Sequence, residues 1–230
     1  MRFTFIPAFL LALSAAAPGA MAHEGHEDID TFMGSEELYF QAIDEPAPPF
    51  DLVDADGNPV SLSDFADKIV VLNFIFASCT DVCPLQSQVI ADIQDKINVG
   101  PMRDMVQFIT VTTDPEVDTP DVLRSYGEIH GLDPANWMFL TARPTDPEDT
   151  TRDLADAYNN TFTPLDDGQQ MHGVVTHVID RDGRLAAKFH GLRFEPVNMV
   201  LYLNGLINAP HEAEKAADDG WWDRLTGLLQ

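Results

Sequence analysis

The pattern of apolar and polar residues along the chain predicts alternating strands and helices. Nearly continuous apolar runs at residues 69–76 and 106–112 are typical of strands that are buried on both faces of a sheet. Between them, apolar residues recur at helical spacing from Leu85 to Ile97, which indicates a helix. The same patterns predict further helices at 119–130, 147–158 and 194–207, and a short strand at 137–140.

Two polar turns between alternating segments predict hairpins. Residues 50–53 and 60–62 flank the turn Asp-Ala-Asp-Gly-Asn, and residues 174–179 and 185–189 flank Asp-Arg-Asp-Gly, which favour tight connections. The resulting order of elements is that of an α/β domain with a thioredoxin-like central sheet, flanking helices and an added N-terminal β-hairpin. Right-handed crossovers between its parallel strands would place helices on both faces.

The two ends of the chain differ in composition from its middle. Residues 1–22 combine one Arg, an apolar run and the site Ala-Met-Ala, which predicts a cleaved signal peptide and export to the periplasm. The alternative is an uncleaved membrane anchor, and membrane contact is expected only in that case. Residues 23–49 are acidic, lack Lys and Arg and end in prolines, which predicts a flexible leader. The folded domain is then expected at 50–208, followed by a tail at 209–230 with a short amphipathic helix.

The charge of the chain excludes some partners. It has 38 acidic residues against 13 basic ones and a net charge of −25. Binding to nucleic acid or to an anionic membrane surface depends on Lys and Arg, so both are disfavoured. A metal ion or a cationic partner remains compatible with this charge. No sequence feature indicates an obligate assembly, so we expect a monomer.

Cys79 and Cys83 lie between a predicted buried strand and a predicted helix. The carboxyl end of such a strand is where α/β sheets bind ligands, and a helix N-terminus favours thiolate over thiol. Three intervening residues close too short a loop for an effective structural disulfide, although an inert disulfide or two buried thiols remain alternatives. Asp81, Asp114 and Asp118 are interpreted as capping and turn residues, with tuning of a bound metal as an alternative.

A histidine near this loop would complete a metal site. His172 lies just before the strand at 174–179, and in a thioredoxin-like fold this position lies against the Cys loop. Two sulfurs and one imidazole suit Cu(I) and can also hold Cu(II), although a hydrogen-bonded loop histidine explains the position equally well. His177 falls on the opposite side of the strand and is interpreted as a sheet histidine. His23 and His26 belong either to a weak metal-capturing site or to a solvated leader.

Three motifs in the same order resemble the SCO/SenC family of copper proteins across residues 48–208. They are Phe-Ile-Phe-Ala-Ser-Cys-Thr-Asp-Val-Cys-Pro at 74–84, Thr-Asp-Pro-Glu-Val-Asp-Thr-Pro at 113–120 and Ile-Asp-Arg-Asp-Gly at 179–183. The chain departs from the family pattern at Thr80, Met171 and Gly173. The resemblance implies that Cys79, Cys83 and His172 are copper ligands. It also implies copper delivery to, or thiol reduction at, the CuA site of cytochrome c oxidase.

Two function hypotheses follow. The first is a periplasmic copper chaperone that passes Cu(I) or Cu(II) to a copper-accepting protein, expected to be cytochrome c oxidase subunit II. The second is a thiol–disulfide oxidoreductase in which Cys79 and Cys83 form the redox pair and reduce the acceptor's cysteines. Only the first requires His172. A peroxidase is disfavoured because no basic residue lies near Cys79 in the sequence, and a copper or redox sensor has no specific support.

Overall fold

From residue 51 onwards the predicted strands and α-helices occur in the predicted order, with one additional hairpin, and two further elements precede them. The computed structural model describes residues 26–166 and 168–209. Its elements in chain order are α1 (Glu27–Glu36), β1 (Phe40–Pro46), β2 (Asp51–Asp54), β3 (Pro59–Ser61), β4 (Ile69–Ile75), α2 (Val82–Asn98), β5 (Val106–Thr112), α3 (Pro120–His130), β6 (Trp137–Thr141), α4 (Thr150–Ala157), β7 (Phe162–Pro164), β8 (Gln170–His172), β9 (Val175–Ile179), β10 (Arg184–His190) and α5 (Pro196–Asn208).

A central sheet joins eight of these strands in the order β1-β10-β9-β4-β5-β6-β2-β3. The strands β4, β5 and β6 run parallel, and the other pairs are antiparallel. Every residue of β4 and β5 is buried, as expected for central strands covered on both faces. The predicted thioredoxin-like α/β class, with the added hairpin β2–β3, is confirmed.

The segment predicted to be a flexible leader is instead part of the fold from residue 27 onwards. Helix α1 packs against α5, and β1 pairs with β10 at the edge of the sheet. Met33 is fully buried. The Phe40 ring meets the rings of Phe189 and Tyr202 edge-on, with centroids 5.4 and 4.9 Å apart. The predicted domain start at residue 50 is therefore wrong, because a few apolar side chains are enough to attach this acidic segment.

A second hairpin, β7–β8, was not predicted. It stands apart from the central sheet, and its antiparallel register places Phe162 opposite His172. Each strand has three residues, which is too short for a recognisable alternation. This hairpin nevertheless carries one of the predicted metal ligands.

Several predictions fall on residues that the structure does not describe. The signal peptide at 1–22, His23 and all of the tail except Ala209 lie outside the described residues. Over the described ranges 26–166 and 168–209, no helix has the length and apolar character needed to cross a membrane.

Candidate metal centre

The two cysteines lie at the junction between the end of β4 and the start of α2. The backbone N–H of Cys79 donates to the carbonyl of Phe76 at 3.1 Å, which turns the chain directly after the strand. Cys83 follows in the first turn of α2. Cys79 is 6% exposed and Cys83 is fully buried, and both are free thiols. The pair therefore lies at the carboxyl end of β4, as predicted.

His172 meets the cysteines from the hairpin β7–β8. The two Sγ atoms and one ring nitrogen of His172 all lie within 4.8 Å of one another. The Sγ of Cys83 is 3.7 Å from Nε2 of His172. We call these three residues the ligand cluster. Among the described residues it is the only group of three or more His, Cys, Asp or Glu side chains close enough to hold a metal ion.

Neighbouring groups fix the orientation of the His172 ring. Its Nδ1 lies 2.9 Å from the carbonyl oxygen of Gly173, so an N–H at Nδ1 donates there and Nε2 keeps its lone pair for a metal. The ring stacks on Phe162, with centroids 4.4 Å apart and planes 11° from parallel. Phe76 meets it edge-on at 5.8 Å.

Burial dominates the electrostatics of Cys83. It raises the pKa of the Cys83 thiol well above the ordinary value, and the neighbouring Cys79 raises it further, while a backbone hydrogen bond from Phe76 acts in the opposite direction. At Cys83, burial therefore outweighs the stabilisation of a thiolate that was predicted from the helix N-terminus. Without metal this group is a thiol that can donate to Nε2 of His172, and metal binding must displace its proton.

Asp118 supports the Cys loop from the neighbouring segment. Its Oδ2 accepts hydrogen bonds from the backbone N–H of Ala77, at 2.9 Å, and from the hydroxyl of Thr112. Burial raises the pKa of Asp118 although both hydrogen bonds favour the carboxylate. The sequence interpretation as a turn residue missed this long-range contact. Asp114 does form a turn, since its carbonyl accepts from the N–H groups of Val117 and Asp118.

Two further histidines lie outside the ligand cluster. His177 is fully buried in β9, with Nε2 at 3.2 Å from the carbonyl of Tyr158, so its interpretation as a sheet histidine is confirmed. His26 is also buried, and its Nδ1 lies 3.7 Å from Oδ2 of Asp180. It therefore does not belong to a solvated leader.

The donor set of the ligand cluster fits copper. Soft thiolates select Cu(I), and an added imidazole allows the same site to hold Cu(II). Structural Zn(II) sites almost always have four protein ligands. The described residues bring no fourth His, Cys or carboxylate into this cluster. A set of three protein donors therefore favours copper over structural zinc.

Comparisons with known proteins show which family and fold the chain resembles. The model of the SCO1/SenC family matches residues 41–207. A SCO2-like protein of Rickettsia prowazekii is 32% identical over 149 residues, which cover 62% of this chain and 68% of that protein. The structure of Bradyrhizobium japonicum ScoI with copper bound is 26% identical, has a TM-score of 0.54 and covers 70% of this chain and 98% of that one. BsSco, described as a member of the Sco family of cytochrome c oxidase assembly proteins, is 21% identical, has a TM-score of 0.64 and covers 73% of this chain and 96% of that one.

Proposed function

The chain belongs to the SCO1/SenC family, and from that premise we propose that it is a periplasmic copper chaperone. It binds one copper ion through Cys79, Cys83 and His172 and delivers it to, or prepares, the CuA site of cytochrome c oxidase. The observation that carries this proposal is the convergence of two sulfurs and one imidazole nitrogen within 4.8 Å. The copper-bound relative ScoI and the description of BsSco as an oxidase assembly protein support it.

The burial of the three ligands favours release of copper by stepwise ligand exchange. Cys83 is fully buried in α2, whereas Cys79 and His172 lie nearer the surface, on a loop and on a small hairpin. An acceptor thiolate can therefore replace the outer ligands while Cys83 still holds the ion. When the ion leaves, the high pKa of Cys83 favours reprotonation of its thiolate, which opposes recapture.

We infer the cellular location from residues 1–22 and the copper acceptor from the relatives. The signal-like sequence at residues 1–22 supports periplasmic export with cleavage, and retention as an anchor is the alternative. The description of a relative as a cytochrome c oxidase assembly protein supports an oxidase as the partner, and within the oxidase we propose subunit II as the copper acceptor. A monomer is sufficient for this task, because one chain supplies all three ligands.

A second candidate is a thiol–disulfide oxidoreductase, favoured by the two free thiols that lie side by side in the ligand cluster. The thiolate of Cys79, the more exposed residue, would attack an acceptor disulfide and release one acceptor thiol. Cys83 would then attack the mixed disulfide, which releases the second acceptor thiol and leaves Cys79 and Cys83 as a disulfide. This reaction does not use His172.

An anaerobic copper titration of the reduced protein tests both functions. The wild type is compared with Cys83→Ser, His172→Ala and a control, His130→Ala, which changes a histidine outside the ligand cluster. We expect one tight copper per chain in the wild type and the control, and visible sulfur-to-copper charge-transfer bands with Cu(II). Both ligand variants should lose at least about tenfold in copper affinity, and the bands should disappear or shift in His172→Ala.

The same set of proteins separates the two functions. If wild type binds no tight copper but its dithiol still reduces a disulfide, the chaperone proposal fails and the oxidoreductase remains. Intact disulfide reduction by His172→Ala, together with weakened copper binding, would show that only copper handling depends on the imidazole.

A further inference from the structure

We propose that Phe162 is a positioning residue that orients the imidazole of His172 and thereby sets how tightly the site holds Cu(II). The inference rests on the proposed function, because it concerns the copper ligand His172. It adds a residue that is not itself a ligand and that was not among the predicted site residues.

Two aromatic rings contact the imidazole of His172, and we call them the aromatic clamp: Phe162 stacks on one face of the imidazole, and Phe76 makes a T-shaped contact with it. Phe162 and His172 are direct cross-strand partners in the hairpin β7–β8. Their rings are nearly parallel at 4.4 Å, which is the separation of a stacked aromatic pair. Phe162 itself is 4% exposed, so its ring cannot easily turn away.

The backbone of the hairpin does not fix His172 by itself. β7 and β8 have three residues each and make no hydrogen-bonded pair with the central sheet. A two-stranded hairpin of this kind is marginally stable in isolation. The stack therefore sets the plane of the imidazole, while the hydrogen bond from Nδ1 to the Gly173 carbonyl sets its rotation. Together they direct Nε2 at Cys83.

Phe162 is suited to this role because the chain just before it is anchored. The carbonyl of Tyr158 accepts hydrogen bonds from Nζ of Lys188 at 2.9 Å and from the His177 ring at 3.2 Å. The hydroxyl of Tyr158 donates to the carbonyl of Pro48 at 2.8 Å. These contacts tie the end of α4 to the central sheet and to the N-terminal segment. These contacts therefore hold Phe162 in place, and the Phe162 ring in turn orients the ring of His172.

The contact should matter more for Cu(II) than for Cu(I). Two thiolates already satisfy the soft, low-coordinate Cu(I), whereas Cu(II) depends on a nitrogen donor and a defined geometry. A loosened imidazole therefore weakens the Cu(II) complex first. Changes to groups that orient a metal ligand typically cost about ten- to a hundredfold in affinity.

The test compares three variants with the wild type. Phe162→Leu keeps an apolar side chain but removes the flat ring, Phe162→Tyr keeps the ring, and Phe139→Leu removes a similarly buried ring outside the clamp. We expect Phe162→Leu to lose about ten- to a hundredfold in Cu(II) affinity, with altered charge-transfer bands. Its Cu(I) affinity should change by less than about threefold. Phe162→Tyr and Phe139→Leu should bind both ions like the wild type.

A metal-free measurement makes the test independent of copper binding. In the wild type the ring current of Phe162 should shift the NMR signals of the His172 ring protons, and Phe162→Tyr should keep this shift. Phe162→Leu should lose it, while Phe139→Leu should not. Unchanged Cu(II) binding in Phe162→Leu, or an equal loss in Phe139→Leu, would overturn the proposal. If wild type binds no copper, the chaperone function fails separately, and the ring-proton shifts still decide whether Phe162 orients His172.

Discussion

His177 shows how strongly burial controls a titrating side chain in this protein. Burial, together with the nearby Lys188, lowers the pKa of His177 to about 3, although the carbonyls of Tyr158 and Leu72 favour the protonated ring. The native protein therefore keeps this imidazole neutral through the mildly acidic range, whereas the unfolded chain protonates it near pH 6.5. The difference makes His177 a source of pH-dependent stability.

We expect His177 to make the wild type less stable as the pH falls below about 6.5. Below that pH the imidazole of His177 is protonated in the unfolded state, whereas in the native state it stays neutral until the pH approaches 3. The loss approaches about 1.4 kcal/mol per pH unit. Urea unfolding at pH 7, 6, 5 and 4.5 measures it. His177→Gln should show a shallower pH dependence, whereas His130→Gln, which removes a less buried histidine, should largely retain the wild-type slope. Parallel profiles for wild type and His177→Gln would contradict this.

Asp118 gives a second prediction at the scale of a single side chain. Asp118→Ala removes the acceptor of the half-buried N–H of Ala77 and of the buried hydroxyl of Thr112, which should lower the free energy of unfolding by about 1–3 kcal/mol. Because Ala77 lies two residues before Cys79, the loop should also open more often. We expect Cys79 to react faster with a thiol reagent in Asp118→Ala than in wild type. Asp114→Ala is the matched control, because the neighbouring turn uses the backbone carbonyl of residue 114, which this substitution keeps. Equal rates of Cys79 modification in wild type and both variants would show that Asp118 does not support the loop.

At the scale of elements, the strands with uniform burial are the ones whose bounds the sequence predicts best. Strands β4 and β5 are buried at every position, so their apolar runs predicted them to within one residue. The hairpin β7–β8 and the strand β1 are short or mostly exposed, and their patterns carry little signal. The same distinction applies to the site. A motif indicated the ligands, but no sequence pattern indicated Phe162 or Asp118, because their roles depend on tertiary contacts.

The attachment of the N-terminal segment also depends on contacts between distant elements. The carboxylate of Glu37 accepts hydrogen bonds from the backbone N–H of Glu195 and from Nδ2 of Asn198, at 2.9 and 3.0 Å. Glu37 thus caps the start of α5 from another part of the chain. Burial opposes the charge, but these hydrogen bonds and one from Tyr39 together lower the pKa of Glu37.

Across the whole molecule, the start of the N-terminal segment and the ligand cluster lie at opposite ends of the central sheet. His26 lies beside Asp180, directly after β9, and Ile179 pairs with Val70 near the start of β4. The cysteines follow the other end of β4. Helix α1 therefore begins far from the ligand cluster, and we expect it to contribute to stability rather than to the site.

A truncation tests whether α1 and β1 contribute to stability without contributing to the ligand cluster. A variant that begins at residue 50 loses α1 and β1, whereas a variant that begins at residue 23 keeps them. The shorter variant gives up the full burial of Met33, about 1.5–3 kcal/mol, the partial burial of Phe40, and the cap that Glu37 provides, about 1 kcal/mol. We therefore expect its free energy of unfolding in urea to fall by at least about 3 kcal/mol.

Comparing the variants that begin at residues 23 and 50 isolates the contribution of α1 and β1 to stability. The variant from residue 23 should retain the unfolding free energy of the full chain, since it keeps every contact described for α1 and β1. If both variants unfold at the same urea concentration, the segment contributes nothing and the flexible-leader interpretation is restored. If only the shorter one is destabilised but its folded fraction still binds copper, then α1 and β1 stabilise a domain whose ligand cluster functions without them.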